Sequence, residues 1–258
     1  MNLNLKDVTF SYGEKDVIKD ISFSIKKGEI VAVLGPNGVG KSTLFKCILG
    51  FLKPKSGTIT IDERDIFSLT EKERARYIAY IPQSFHPVFN HSVLELVMMG
   101  LTSQMGVFDL PGEKEEKEAI KALETMGILD LKDRGVRKIS GGESQLMLLC
   151  RAIVQKANLI IMDEPTASLD FANSHIVMDR IMKLADDGYS VLFSTHSPEL
   201  ALSYATRIIA LKEGKVLKDV DKKESLDSQT LSTLYSFPLY LGKTEIRNKE
   251  RYYCIADN

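Results

Sequence analysis

The run Glu29-Ile30-Val31-Ala32-Val33-Leu34 gives way to Gly35-Pro36-Asn37-Gly38-Val39-Gly40-Lys41-Ser42-Thr43, and Ser42–Leu49 then has helical character. A short apolar run without alternation reads as a strand buried on both faces, which a sheet covered by helices supplies. The segment that follows fits G-x-x-x-x-G-K-[ST] between a strand and a helix, the context in which that pattern has meaning. Its glycines let the backbone bend until successive N–H groups point inward at phosphate oxygens. The helix start adds the positive end of its dipole. Lys41 is placed to neutralise β- and γ-phosphate charge, and the Ser42 hydroxyl to join a Mg²⁺ shell.

The rest of the chain extends this unit. Leu3–Phe10 and Ile21–Ile25 alternate as half-buried strands, and Thr58–Asp62 and Tyr77–Ile81 are further short strands. Thr70 and Glu73 stand at capping-box spacing before a helix through Arg76. About residues 84–135 the strand signals thin, and Val93–Gly100 and Glu113–Met126 read as helices of an insertion. Beyond it come a helix over Ser140–Val154, a strand at Leu159–Met162 and a helix over Asn173–Asp187. A strand at Ser190–Ser194 and a helix over Pro198–Tyr204 follow, and Ile208–Leu211 and Lys215–Leu217 flank a turn at Glu213-Gly214. Strands alternating with helices imply an α/β core with a mainly parallel sheet. We take residues 1–219 as one domain and 220–258 as a small extension with weak signals.

Two strand exits carry further chemistry. Asp163 and Glu164 are adjacent carboxylates after Leu159–Met162, costly unless something cationic holds them. Ligands of open α/β sheets bind outside the carboxyl ends of strands. Asp163 is therefore expected to face Mg²⁺ through its waters, and Glu164 to polarise an attacking water. His196 follows Ser190–Ser194, where its ring can bond a γ-phosphate and sense hydrolysis. Ser140 and Glu143 again have capping-box spacing, yet Gly141 and Gly142 weaken a helix that needed only a cap. Bare backbone there suits a second phosphate-facing terminus, serving a nucleotide bound by another copy.

In the order of these motifs the chain resembles the ABC-type ATPases along nearly its whole length. Gly35–Thr43 resembles the Walker A loop, Ile160–Glu164 the end of Walker B, and Ile139–Glu143 the signature usually written LSGGQ. The resemblance implies that Gln83 senses Mg²⁺ and a membrane partner, that Ser168-Leu169-Asp170 is the D-loop, and that His196 is the switch histidine. Tyr12 matches the aromatic residue that stacks on adenine. It further implies a P-loop NTPase core with an amino-terminal antiparallel β subdomain and an inserted α-helical subdomain. Expected cofactors are ATP and Mg²⁺, the metal being served by Ser42, Gln83 and Asp163. Catalytic roles fall to Glu164 and His196.

Within the family, LTEKERARYIAYIPQ at 69–83, HSVLELVMMG at 91–100, SLDFAN at 168–173 and LSTLYSFPLYL at 231–241 are similar to importers of metal chelates such as iron–siderophore, haem or cobalamin. That implies a homodimer on the cytoplasmic face of the membrane, with integral-membrane permease subunits and an external substrate-binding protein as partners. The competing expectation is an ABC ATPase uncoupled from transport, such as one serving iron–sulfur assembly. Three departures stand out: Ile139 and Glu143 stand where the signature usually has leucine and glutamine; Leu146 replaces an arginine usual after Gln145, whose role is either absent or taken by Arg151; and Leu101 stands where these importers often carry arginine.

Composition narrows the field. With 34 basic and 35 acidic residues and a net charge of −1, nothing suggests a surface that wraps nucleic acid, and no nucleic-acid partner is expected. No run of about 18 apolar residues occurs, so the chain is not expected to cross a bilayer by itself. The start lacks a signal pattern. Cys47, Cys150 and Cys254 are widely spaced and read as reduced thiols of a cytosolic protein.

Overall fold

The computed structural model describes residues 2–106, 109–221, 226–246 and 249–257. In chain order it has strands β1 (Leu3–Tyr12), β2 (Lys15–Ile25) and β3 (Ile30–Leu34), helix α1 (Lys41–Ile48), and strands β4 (Ser56–Ile61) and β5 (Arg64–Asp65). Next come α2 (Glu71–Tyr77), β6 (Ile78–Ile81), α3 (Val93–Met98), α4 (Glu113–Met126), α5 (Gly141–Gln155), β7 (Leu159–Met162) and α6 (Phe171–Asp186). The chain then forms β8 (Ser190–Thr195), α7 (Pro198–Tyr204), β9 (Arg207–Lys212) and β10 (Lys215–Asp221). It ends with α8 (Ser228–Tyr235), β11 (Leu239–Ile246) and β12 (Lys249–Ala256). Two compact units result: Met1–Ser68 with Ser190–Asn258, and Leu69–Tyr189.

In the first unit, β1 pairs antiparallel with β2 on one side and β4 on the other, giving the sheet order β2-β1-β4-β5. This is the antiparallel amino-terminal sheet that the family resemblance implied, and the alternation in β1 matches its burial, with Leu3, Leu5, Val8 and Phe10 buried. In a second ladder β3 lies between β8 and β9, parallel to both, while β10 runs antiparallel on the outside of β9. All five residues of β3 are buried, the pattern its unbroken apolar run called for. Parallel neighbours put the carboxyl ends of β3 and β8 at one edge, Leu34 opposite Thr195. The carboxyl-terminal segment belongs to this unit, where β11 and β12 form an antiparallel ribbon.

In the second unit β6 and β7 are parallel, with Ile81 opposite Met162. The stretch 84–135 holds α3 and α4, and α4 buries Ala119, Ala122, Leu123 and Met126, the spacing of one helical face. That face meets α5, and the Cys150 thiol donates to the Ala122 carbonyl at 3.3 Å. Burial pushes the Cys150 thiol, and equally that of Cys47 in α1, up to about 12. Cys47 and Cys150 are free and buried. Among the described residues no helix is long and apolar enough to cross a membrane.

Capping chemistry accounts for most helix starts. Thr70 and Glu73 form the reciprocal box expected of them, and Ser197 caps α7 with Pro198 in its first turn. Several boundaries differ from the sequence reading, two of them at helix ends with a local cause. Helix α6 begins at Phe171 rather than Asn173, because the Asp170 carboxylate accepts from the Asn173 N–H at 2.8 Å. Helix α3 stops at Met98 and tightens into a 3₁₀ turn, Met99–Ser103, where Gly100 lies against the Arg151 backbone.

Ile160 is fully buried in β7, directly before the Asp163-Glu164 pair. Truncating it to alanine is expected to cost about 2–5 kcal/mol of stability, read as a lowered urea midpoint.

Candidate nucleotide-binding site

Each unit carries its own group of the residues singled out by sequence. In the first, the loop after β3 and the residue after β8 leave neighbouring strand ends, and the Gly35 N–H donates to the Thr195 carbonyl at 3.3 Å. Gly35 has no room for a side chain: a Cβ would come within 2.6 Å of the Leu211 carbonyl oxygen. Gly38 and Gly40 have φ of 79° and 111°, a region that side chains disfavour, so the loop turns back over itself at these points. A Cβ on Gly40 would also strike Ile18 at 2.9 Å, so β2 abuts the loop. Pro36 and Val39 are half-buried, whereas Asn37 and Gly38 are exposed at the tip.

Gly40 is also the N-cap of α1, and no side chain caps that helix start. The first-turn N–H groups of a helix then await an acceptor from elsewhere, which an anion satisfies. Lys41 is only 5% exposed, and its ammonium donates to the Gly35 and Pro36 carbonyls at 2.8 and 3.1 Å. Ser42 and Thr43 follow, half-buried in the first turn. Left-handed glycines, an uncapped helix start and a buried cation at one loop fit a polyphosphate. Tyr12 ends β1, 52% exposed as a residue, with its ring edge-on to Phe10, centroids 4.9 Å apart. His196 is exposed just past β8, and its main-chain carbonyl accepts from the Tyr235 hydroxyl at 2.7 Å.

In the second unit the exits of β6 and β7 are likewise neighbours: the Asp163 N–H donates to the Ile81 carbonyl at 3.0 Å. Asp163 is 5% exposed. Tyr80 beside it is pushed up to about 12, first by burial and then by the Asp163 charge. Glu164 has φ of 46°, a strained value for a residue with a side chain. The turn in which Ala167 N–H donates to the Glu164 carbonyl at 3.1 Å accompanies it. The Gln83 amide donates to the Glu164 carboxylate at 3.3 Å, so these two sequence-predicted residues do meet. Among the described residues no three His, Cys, Asp or Glu side chains form a metal cage. Mg²⁺ is usually held by one or two carboxylates, water and substrate phosphates, so the buried carboxylate of Asp163 suits it.

Ser140 caps α5 in the expected box: Glu143 accepts from the Ser140 N–H at 2.6 Å, and Ser140 Oγ accepts from the Glu143 N–H at 3.3 Å. The two glycines differ. Gly141 is exposed, and a Cβ there would meet only Leu169 closely, at 3.3 Å. Gly142 is buried, and a Cβ would press on the Asn173 amide at 2.9 Å. Close packing against α6 is thus a second reason for glycine at 142, one the sequence did not disclose. Asn173 could have been found as the third residue after the capping Asp170. A hollow of about 360 Å³ is lined by Gln83, Phe85, Gly141, Gln145 and Ser168, bringing the segment after β6, the start of α5 and the turn before α6 around one space. Leu146 is buried, so an arginine there would bury its charge. The Arg151 guanidinium instead lies over the Phe85 ring, 6.0 Å from its centre.

A glycine-built phosphate loop ahead of a helix, on an α/β core with parallel strands, defines a P-loop nucleotide-binding protein. Residues 18–167 match the family model described as ABC transporter. The "Probable iron chelatin transport ATP-binding protein" of Helicobacter pylori (strain ATCC 700392 / 26695) is 39% identical over 93% of this chain and 94% of its own length. A solved ABC transporter described as metal-chelate type, in an inward-facing conformation, has a TM-score of 0.88 at 30% identity, covering 98% of this chain and 96% of that one. A dimeric ATP-binding cassette in a post-hydrolysis state, bound to ADP and phosphate, has a TM-score of 0.76 at 30% identity, covering 85% and 98%. The chain belongs to the ABC transporter family, as an ATP-binding component that hydrolyses ATP.

Glu143 stands where the family usually has glutamine, and the Ser140 main-chain N–H holds its carboxyl below the ordinary glutamate range. A depressed value means that the ionised carboxylate contributes stability above the unfolded-state value, lost as pH falls through the folded-state one. Glu143→Gln keeps an acceptor but removes the titration. Its urea midpoint is expected to fall less than that of the parent between about pH 7 and about pH 3.

Proposed function

We propose that this chain is the ATPase subunit of an importer for a metal chelate, working as a homodimer with two ATP molecules between its copies. The observation that carries the cargo class is the near full-length likeness to a transporter described as metal-chelate type, which extends over the carboxyl-terminal segment. The iron chelatin relative supports the same class. Neither favours the competing reading of an ABC ATPase uncoupled from transport. Integral-membrane permease subunits, an external binding protein and a position on the cytoplasmic face of the membrane follow from this reading.

Residue roles are assigned from the chemistry of each side chain. The N–H groups of Gly35–Thr43 and the Lys41 ammonium grip the β- and γ-phosphates. Ser42, Asp163 and Gln83 would hold Mg²⁺, directly or through water, and the ion supplies neutralisation of phosphate charge when bound. Glu164 accepts a proton from the attacking water, and the Gln83 amide orients that carboxylate. His196 bonds the γ-phosphate and registers its departure. Tyr12, an exposed residue, stacks on adenine. Ser140, Gly141 and Gly142 of one copy face the nucleotide held by the other.

Glu164→Gln is expected to bind ATP normally, lose turnover by about 10²–10⁴-fold and accumulate as ATP-bound dimers in gel filtration. Hydrolysis at the parental rate would remove Glu164 from the catalytic role. Lys41→Ala is expected to lose ATP affinity in a titration, and unchanged binding would discount the phosphate loop.

A further inference from the structure

Sequence left the chain beyond Asp219 without a role, and the structure gives it a place. Helix α8 begins at its cap Asp227, whose carboxylate accepts from the Thr230 N–H at 2.6 Å. The ribbon docks on it through the Ser232 and Ser228 hydroxyls, which accept from the Leu239 and Leu241 N–H groups at 2.9 and 3.0 Å. At the far end of α8 the Tyr235 hydroxyl donates to the main-chain carbonyl of His196 at 2.7 Å. The Cys254 N–H in β12 donates to the Glu199 carboxylate at 3.0 Å, in the first turn of the helix that follows His196. Helix α8 and the ribbon therefore grip the loop 195–199 at two points.

A third anchor reaches β9, the strand that lies against Gly35. The Lys212 ammonium donates to the Thr233 carbonyl and to the Ser236 hydroxyl, the latter at 3.1 Å, at the carboxyl end of α8. Its neighbour Leu211 is the residue whose carbonyl closes on Gly35. One short helix is thus bonded to residues beside both Gly35 and His196. We propose that α8 is a strut for the phosphate-facing strand ends, and that Tyr235 is a positioning residue that fixes the His196 loop for hydrolysis. Burial, with the charge of Cys254 second, raises the Tyr235 hydroxyl above its ordinary range, so it keeps its donor proton.

The inference rests on His196 acting at the γ-phosphate, and the experiment separates the two claims. Tyr235→Phe keeps the ring and deletes the donor. One lost hydrogen bond is expected to lower kcat by roughly threefold to tenfold, with KM for MgATP and the melting temperature little changed. In a His196→Ala background the same change should lower kcat no further. Amide hydrogen exchange of the peptide covering 195–204 should speed up in Tyr235→Phe whatever His196 does. Unchanged exchange overturns the strut. Faster exchange with parental kcat, while His196→Ala is impaired, overturns the positioning role, as does an equal fall in both backgrounds. His196→Ala at the parental rate sinks the sensing role of His196 alone, and faster exchange in Tyr235→Phe then still upholds the strut.

Discussion

Parallel pairing forces neighbouring strands to finish together, and the chemistry of this chain hangs on that constraint. In the first unit β3 and β8 end side by side and release Gly35 and His196. In the second, β6 and β7 do the same for Gln83 and the pair Asp163-Glu164. None of these residues needs a long loop to reach its neighbour, because the ladder register already sets them close. The buried apolar side chains of the strands hold that register, since slippage by one residue would reverse every side chain. Core packing and site geometry are therefore one problem in this chain.

The same economy governs the helix starts. Helices α2, α5, α6 and α7 each carry a side-chain cap, whereas α1 and α4 start at a glycine without one, α1 doing so at the phosphate loop. A helix start already satisfied by its own serine and glutamate has fewer groups to offer a ligand than one left open. The α5 start keeps an exposed Gly141 beside its cap, so its backbone stays approachable although Ser140 and Glu143 engage each other.

Much of this was readable before any coordinates. Unbroken apolar runs marked β3 and β7, and capping residues marked α2, α5 and α7, because these signals are local. Long-range facts were not readable: Leu211 closing on Gly35, Asn173 filling the space before Gly142, and Arg151 lying over Phe85 join residues far apart in the chain. The ribbon of β11 and β12 was missed for another reason. Tyr240, Ile246, Tyr253 and Ile255 are exposed, so its apolar residues do not mark a buried face and alternation carries no information there. The first hairpin was also longer than expected, since the polar start of β2 at Lys15 is held by pairing with Tyr12 rather than by burial.

Cys47 gives the loop chemistry a chemical shelter. It sits in α1, the helix that opens at the phosphate loop, with its sulfur fully enclosed and its proton retained to about 12. Peroxides and alkylating agents attack thiolates, and a thiol that does not ionise at cellular pH gives them no foothold. The helix that opens at this loop therefore carries a sulfur that offers such reagents neither surface nor charge.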